Sequence, residues 1–325
     1  MKPIHAVLFS LAACASVLPQ TSSAQTYPAK PIRLIVGFAP GGAADIISRI
    51  IGDPLGRALG QSIIIDNKPG AASSVAVEFV SKSAPDGYTI LIASQSGMIV
   101  NPLINPNVGY NTERDFAPIS KVTVSPLVVT VNPTLPVHSV RELIAEAKKA
   151  PGKLNAASSG NGSLPHLAVA LFSAQTGVQM VHVPYKSGGQ AVQSVLAGDT
   201  QVTFATSPSV LPFVQAGRLR ALAVTSSERT PLVQGLPGMK EAGLADYEVT
   251  VWYGFFAPTG TPAEVVRRLF EATALVLQNP NVQQALARDG TETSGSRTPA
   301  DFGAFVSEET KLWTQVIRAS GAKFD

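Results

Sequence analysis

Two short stretches of this sequence have residue types suited to chemistry. They are Pro40-Gly41-Gly42-Ala43-Ala44-Asp45 and Ser158-Ser159-Gly160-Asn161-Gly162-Ser163. Each is a small-residue, glycine-bearing turn placed just before an apolar run at helical spacing. Such a turn aims several backbone N–H groups and the positive end of a helix dipole at one point, an arrangement suited to an anion. Residues 38–45 contain no lysine or arginine, so an anion held there rests on amides and dipole, not on an ion pair. The glycines either expose those amides or only permit positive φ. Asp45 reads as a helix cap that fixes the first loop, with direct ligand contact as the other reading. His166 falls in the first turn of the second helix, where the dipole disfavours its protonated form. It either donates to a ligand oxygen or ties down its own loop.

Other chemistries find little footing. There is no G-x-S-x-G elbow and no Walker A sequence, and Gly160-Asn161-Gly162 lacks the third glycine of a dinucleotide fingerprint. No His, Asp and Glu cluster has metal-ligand spacing. No catalytic residue, cofactor or metal is expected. The rival enzymatic reading is a hydrolase using Ser163 with His166.

The elements around these stretches form two series of the same design. In the first, Ile32 to Val36 is a β-branched strand, followed by the first glycine loop and a helix with apolar positions from Ile46 to Leu59. Gly60 stops that helix. A strand at Ile63–Ile65, a turn at Asn67–Gly70, a helix over Ala72–Ser83 and a strand over Tyr88–Ala93 come next, ending in the polar tip Ser94-Gln95-Ser96. In the second, Leu154–Ala157 is a strand before the second glycine loop. A helix over Leu164–Ala174, a stop at Gly177, a strand over Val178–Val183, a helix over Gln190–Leu196 and a strand over Gln201–Ala205 follow, ending in the tip Thr206-Ser207. Capping boxes start further helices at Ser139, Thr261 and Thr298. Strands alternating with helices imply a mostly parallel sheet in each half, flanked by helices, with ligands gathering at the strand carboxyl ends. The terminal helices after Thr261 have no strand partners of their own, so the chain is expected to cross back to the first lobe near Val249 to Phe255. The expected division is 25–125 plus 249–325 for lobe 1 and 126–248 for lobe 2.

Of the 325 residues, 45% are apolar and 14% charged, with a net charge of +3. The basic residues are scattered with few aromatics among them, which argues against nucleic-acid binding. Residues 1–24 read as an export signal: Lys2, an apolar run from Ile4 to Leu18, and Ser22-Ser23-Ala24 as a cleavage site before Gln25. The rival is a lipoprotein box at Leu11-Ala12-Ala13-Cys14. Cys14 is the one cysteine, so cleavage after Ala24 leaves no disulfide or thiolate chemistry. No later stretch is apolar for long enough to cross a bilayer. An exported protein of the bacterial periplasm is the expectation.

Several motifs in order complete the reading: Tyr27-Pro28-x-Lys30-Pro31-Ile32, Pro40-Gly41-Gly42-x-x-Asp45, Asn67-Lys68-Pro69-Gly70-Ala71, Pro85-Asp86-Gly87-Tyr88-Thr89, Ser159-Gly160-Asn161-Gly162-Ser163-x-x-His166, His182-Val183-Pro184-Tyr185-Lys186 and Trp252-Tyr253-Gly254. With them the chain resembles the Bug-type periplasmic solute-binding receptors of tripartite tricarboxylate transporters. The resemblance implies a type II periplasmic binding protein, with two α/β lobes joined by two crossover strands and closing on a small organic carboxylate. It implies membrane components of such a transporter as partners and a monomer as the working form; a sensor feeding a signalling partner is the alternative. It also implies that the Gly41-Gly42 and Ser159–Ser163 loops hold the ligand, flanked by Ser94, Gln95, Ser96, Thr206 and Ser207. The full candidate set is Phe38, Pro40, Gly41, Gly42, Ala43, Asp45, Ser94, Gln95, Ser96, Ser158, Ser159, Gly160, Asn161, Gly162, Ser163, His166, Thr206, Ser207 and Tyr253. Phe38 is a candidate apolar wall, and Trp252 and Tyr253 read as core or cleft on the crossover. His138 and His182 read as ordinary surface or strand positions. One departure stands out: Ala205-Thr206-Ser207 occupies a place where many members carry an acidic residue.

Overall fold

A computed structural model describes residues 27–105 and 107–320. The expected export signal, its cleavage site and Cys14 lie outside the described residues. In chain order the elements are β1 (Ile32–Val36), α1 (Ala43–Leu59), β2 (Ile63–Asn67), α2 (Ser74–Ser81), β3 (Thr89–Ser94), α3 (Asn101–Ile104), α4 (Thr112–Asp115), β4 (Phe116–Val131), α5 (Val140–Lys149), β5 (Asn155–Ser158), α6 (Leu164–Thr176), β6 (Val181–Pro184), α7 (Gly188–Ala197), β7 (Val202–Thr206), α8 (Ser207–Gln215), β8 (Arg220–Val224), β9 (Thr250–Pro258), α9 (Ala263–Leu277), α10 (Pro280–Arg288), β10 (Glu292–Thr293) and α11 (Pro299–Ser320).

The strands form two sheets sharing one long member. On one side β2, β1 and β3 run parallel, and β9 joins β3 antiparallel. On the other β6, β5 and β7 run parallel, and β4 joins β7 antiparallel. The two halves therefore share a strand order of second, first, third, then a returning crossover. β4 belongs to both. From Phe116 to Pro126 it pairs with β9, and from Leu127 to Val131 with β7 and β8. The change of partners at Pro126–Leu127 makes β4 and β9 the two connections between the lobes, giving the expected two-lobe α/β architecture.

Apolar residues explain which elements form. Ile32, Leu34, Ile35 and Val36 are fully buried, and burying such side chains contributes roughly 1.5–3 kcal/mol each. α1 lays Ile47, Ile51 and Leu55 on that sheet, and Gly60 ends it in the left-handed conformation. The terminal helices pack on the first lobe: Trp252 of β9 meets Phe302 and Phe305 of α11 edge-on, and the Trp252 indole N–H donates to Glu309 at 3.0 Å. Among the capping boxes, Ser139 accepts from the Glu142 N–H while Glu142 reaches the His138 N–H, and Thr298 accepts from the Asp301 N–H. The third differs: Thr261 turns its hydroxyl back to the Pro258 carbonyl, and α9 starts without a side-chain cap.

Three local expectations are revised. The tip Thr206-Ser207 runs straight into α8, because Pro208 suits a first helical turn. The tip after β3 continues as a π-helical turn over Ser96–Val100 into α3. The segment Ala71–Ser73 is a separate turn ahead of α2, with φ of 44°, 46° and 81°.

Candidate binding cleft

The connections after β1, β2 and β3 face those after β5, β6 and β7, so the parallel strands of both lobes point their carboxyl ends at one interlobe cleft. The lobes touch there. The Ala39 N–H donates to the Lys186 carbonyl at 3.5 Å, and a Cβ on Gly189 would stand 2.8 Å from the Gly41 carbonyl oxygen. On the far side the Leu164 N–H, in the first turn of α6, donates to Ser96 Oγ at 2.9 Å.

The two glycine loops do not face each other directly, as the symmetry of the sequence suggests. Gly42 looks at Ser187 and Gly188 at the start of α7, with a built Cβ 3.6 Å from Ser187 Cβ. Gly160 lies beside Ala72, and Gly162 is pressed against Asn101 and Ile104. Each loop thus meets a different segment of the opposite lobe. An open groove of about 760 Å³ runs beside the first loop, between Pro40 and Gly41 on one wall and Tyr185, Gln190, Gln193 and Phe213 on the other.

Three helix N-termini converge on this region but are finished differently. α6 is capped by Ser163, whose Oγ accepts the His166 N–H, and α7 by Ser187, whose Oγ accepts the Gln190 N–H. α1 begins at Gly42 with no side-chain cap. Its first-turn amides, from the buried Ala43 and Ala44, are the donors left to an external acceptor. Asp45 holds the loop in front of them. One carboxylate oxygen accepts the Gly41 N–H at 3.0 Å and the Arg49 Nε–H at 3.0 Å; the other accepts from Arg49 at 2.9 Å and from Asn67 at 3.1 Å. Asn67 also donates to the Phe38 carbonyl. Burial raises the Asp45 pKa, but the hydrogen bonds from Arg49, Gly41 and Asn67 outweigh it and leave the carboxyl below its usual range. Asp45 does not cap α1; it fixes the loop ahead of the helix, and its oxygens are engaged there instead of being presented to the cleft.

Several other candidates also serve the frame. Phe38 is buried in the main hydrophobic core. Gln95 spans to the crossover: its amide N–H donates to the Thr250 carbonyl at 2.6 Å and its carbonyl accepts the Trp252 N–H at 3.3 Å. Ser207 donates to the Pro126 carbonyl where β4 changes lobes. Beside it, the Thr225 hydroxyl accepts the Leu127 N–H and donates to the Val249 carbonyl, stitching the two crossovers together. Ser94 is buried, opposite Tyr253 in the β3–β9 ladder, and Tyr253 is buried too. Burial raises its phenol pKa. Thr206 shares a hydrogen bond with Ser209 beside the start of α7. Ser159 is buried and Asn161 is exposed at the loop tip.

His182 is the clearest departure from the residue-level reading. It stacks on His166 with ring centroids 3.7 Å apart and planes 4° from parallel, and its Nε2 lies 2.5 Å from Ser158 Oγ. His166 Nδ1 accepts the Gly162 N–H at 3.2 Å. Burial, and then His182, push the His166 pKa down to about 4; burial does the same to His182. Both rings are neutral at pH 7. Ser163 offers its oxygen to the His166 backbone and not to the ring, so the two do not form a nucleophile and base. Also missed from sequence were Ala71–Ser73, Asn101, Ser187 and Ser209. The Asn67–Ala71 motif marks a turn, but three successive non-glycine residues at positive φ leave no signature in residue type.

The Tripartite tricarboxylate transporter family receptor model matches residues 47–322. The chain belongs to this family. Protein BugT of Bordetella pertussis is 36% identical over 302 residues, covering 93% of this chain and 92% of that protein. Among solved structures, R. palustris Rpa4515 with adipate has TM-score 0.88 at 34% identity, covering 91% of this chain and 98% of that one. MatC from Rhodopseudomonas palustris with bound malate has TM-score 0.85 at 28% identity, covering 90% and 100%. The protein is a periplasmic solute-binding receptor and not an enzyme.

Proposed function

We propose that this receptor captures a small organic carboxylate between its lobes and delivers it, as a monomer exported by its first 24 residues, to the membrane components of a tripartite tricarboxylate-type transporter. Residues 25–125 with 249–325 form one lobe in this reading, and 126–248 the other. The observation that carries it is the uncapped N-terminus of α1, held open by Asp45 opposite the start of α7. A carboxylate in a closed cleft is costly unless its oxygens are hydrogen-bonded. Amides of α1 and hydroxyls near Thr206 and Ser209 answer that need. Nearby cations are otherwise occupied or peripheral: Arg49 is paired with Asp45, and Lys186 is exposed. This favours carboxylates over phosphate esters. The dicarboxylates in Rpa4515 and MatC support an aliphatic diacid, and the absence of an acidic side chain at Ala205–Ser207 leaves the second carboxylate unopposed.

The test is calorimetry with adipate, malate, succinate and benzoate. One of them binding near micromolar, about −8 kcal/mol, supports the reading. A flat response to every aliphatic and aromatic acid, with the protein folded, overturns it.

A further inference from the structure

The second glycine loop is tied at both ends to the same pair of stacked rings. Ser158 Oγ, fully buried, accepts the Gly160 N–H at 3.1 Å and lies 2.5 Å from His182 Nε2. Four residues before its own position in α6, His166 accepts the Gly162 N–H on Nδ1 at 3.2 Å. The rings that make these two ties lie face to face at 3.7 Å. One comes from α6 and the other from β6, so the stack also locks the helix that follows the loop to the strand beside it. Gly160 and Gly162 both sit at positive φ, 120° and 75°. Glycine is free to leave such values, so the loop's shape depends on what holds its amides.

We propose that His166 and His182, with Ser158, are positioning residues for the 159–163 loop, holding its amides in binding order while both rings are neutral and releasing them when either ring takes a proton. This rests on the loop belonging to the carboxylate cleft. Protonating His166 turns Nδ1 from acceptor into donor facing the Gly162 N–H, and that bond is lost. Protonating His182 puts a charge against the buried face of His166. Among the described residues, the elements around the pair bring few charges. β5, β6, β7 and residues 159–163 carry no Asp, Glu, Lys or Arg, and neither do Ala71–Ser74 or Asn101 across the cleft. Tyr185 and Lys186 follow β6. α11, which touches α6, carries Glu308 paired with Lys311, and Glu309 bonded to Trp252 and Trp313. Burial keeps both rings neutral until about pH 4.

The experiment is ¹⁵N NMR on the ligand-free full chain, titrated from pH 7 to 3.5, with amide exchange read at Gly160 and Gly162. At pH 7 His166 should carry its proton on Nε2. Gly160 and Gly162 should move with the histidines at a common midpoint below 5, while Gly41 and Gly42 do not follow. His166→Ala should speed Gly162 exchange at least tenfold at pH 7. His166→Asn places an acceptor near Nδ1 that does not titrate, and should restore protection and abolish its pH response. His182→Phe keeps the stack but should loosen Gly160 selectively. Histidines titrating near 6.5, an Nδ1-protonated His166, or Gly162 exchange unchanged in His166→Ala would overturn the proposal. With no ligand in the tube, these outcomes are independent of the carboxylate screen, so either reading can fail alone.

Discussion

Ser96 Oγ accepts the Leu164 N–H at 2.9 Å, so a side chain of one lobe finishes the first turn of a helix in the other. This bond exists only when the lobes meet; in an opened receptor water takes over both groups. It therefore belongs to the closed state and to the equilibrium that ligand shifts. Ser96→Ala should leave lobe stability unchanged and favour opening by about 1 kcal/mol, roughly a fivefold weaker affinity for whichever acid the wild type binds. Calorimetry, with small-angle scattering of the ligand-free protein to follow opening, checks both parts.

Gly162 and Gly60 offer a matched comparison. Their φ values are 75° and 77°, so alanine is strained at each by about 1 kcal/mol. At Gly60 nothing lies within 4 Å of an added Cβ, whereas at Gly162 that Cβ would sit 2.6 Å from Asn101 Oδ1 and 2.6 Å from Ile104 Cδ1, both across the cleft. Gly162→Ala should weaken binding at least tenfold with a modest loss of thermal stability. Gly60→Ala should lose similar stability with affinity intact. Equal affinities in the two variants would remove closure at Gly162 from the account.

Asp45 ties Gly41, Arg49 and Asn67 into one loop support. Asp45→Ala removes the acceptor of the Gly41 N–H and of one Asn67 N–H, both at half-open positions, and should destabilise by about 1 kcal/mol. Because the native carboxyl titrates below its unfolded value, its contribution is present above pH ~4 and lost as pH falls through the lower native value. Urea unfolding at pH 7 and pH 3 should show the gap between variant and wild type narrowing in acid.

The histidine pair has its own pH window. Both rings bind protons less readily in the folded chain, near 4 against 6.5 when unfolded. Between those values the unfolded state holds more protons, so stability rises with pH. Lowering the pH from 7 to 4 should cost about 2 kcal/mol for the pair, a figure reduced because both rings are partly open to solvent. His166→Asn combined with His182→Phe should flatten that part of the urea-derived profile.

Gln95 and Thr225 brace the crossovers. Gln95→Ala leaves the Thr250 carbonyl and Trp252 N–H without their partner and should destabilise by about 1 kcal/mol. Hydrogen exchange should quicken first along Thr250–Trp252, not in the cores of the lobes.

Much of this architecture is legible residue by residue. Most of the strand and helix order, the stops at Gly60 and Gly177, and the caps at Ser139 and Thr298 rest on interactions spanning about four residues, so they can be read from neighbouring residue types; the cap expected at Thr261 fails because its hydroxyl turns to the Pro258 carbonyl. The two-lobe plan follows from the repeated strand–loop–helix order. The pairings across long separations come from the folded whole. Ser96 meets Leu164, Gln95 meets Thr250 and His166 stacks on His182 because two sheets share β4 and bring their rims together. Residue type alone does not say that Gly42 faces Ser187 or that Gly162 faces Asn101. Those neighbours depend on the angle at which one lobe meets the other, which the packing of the whole chain sets and no local pattern encodes.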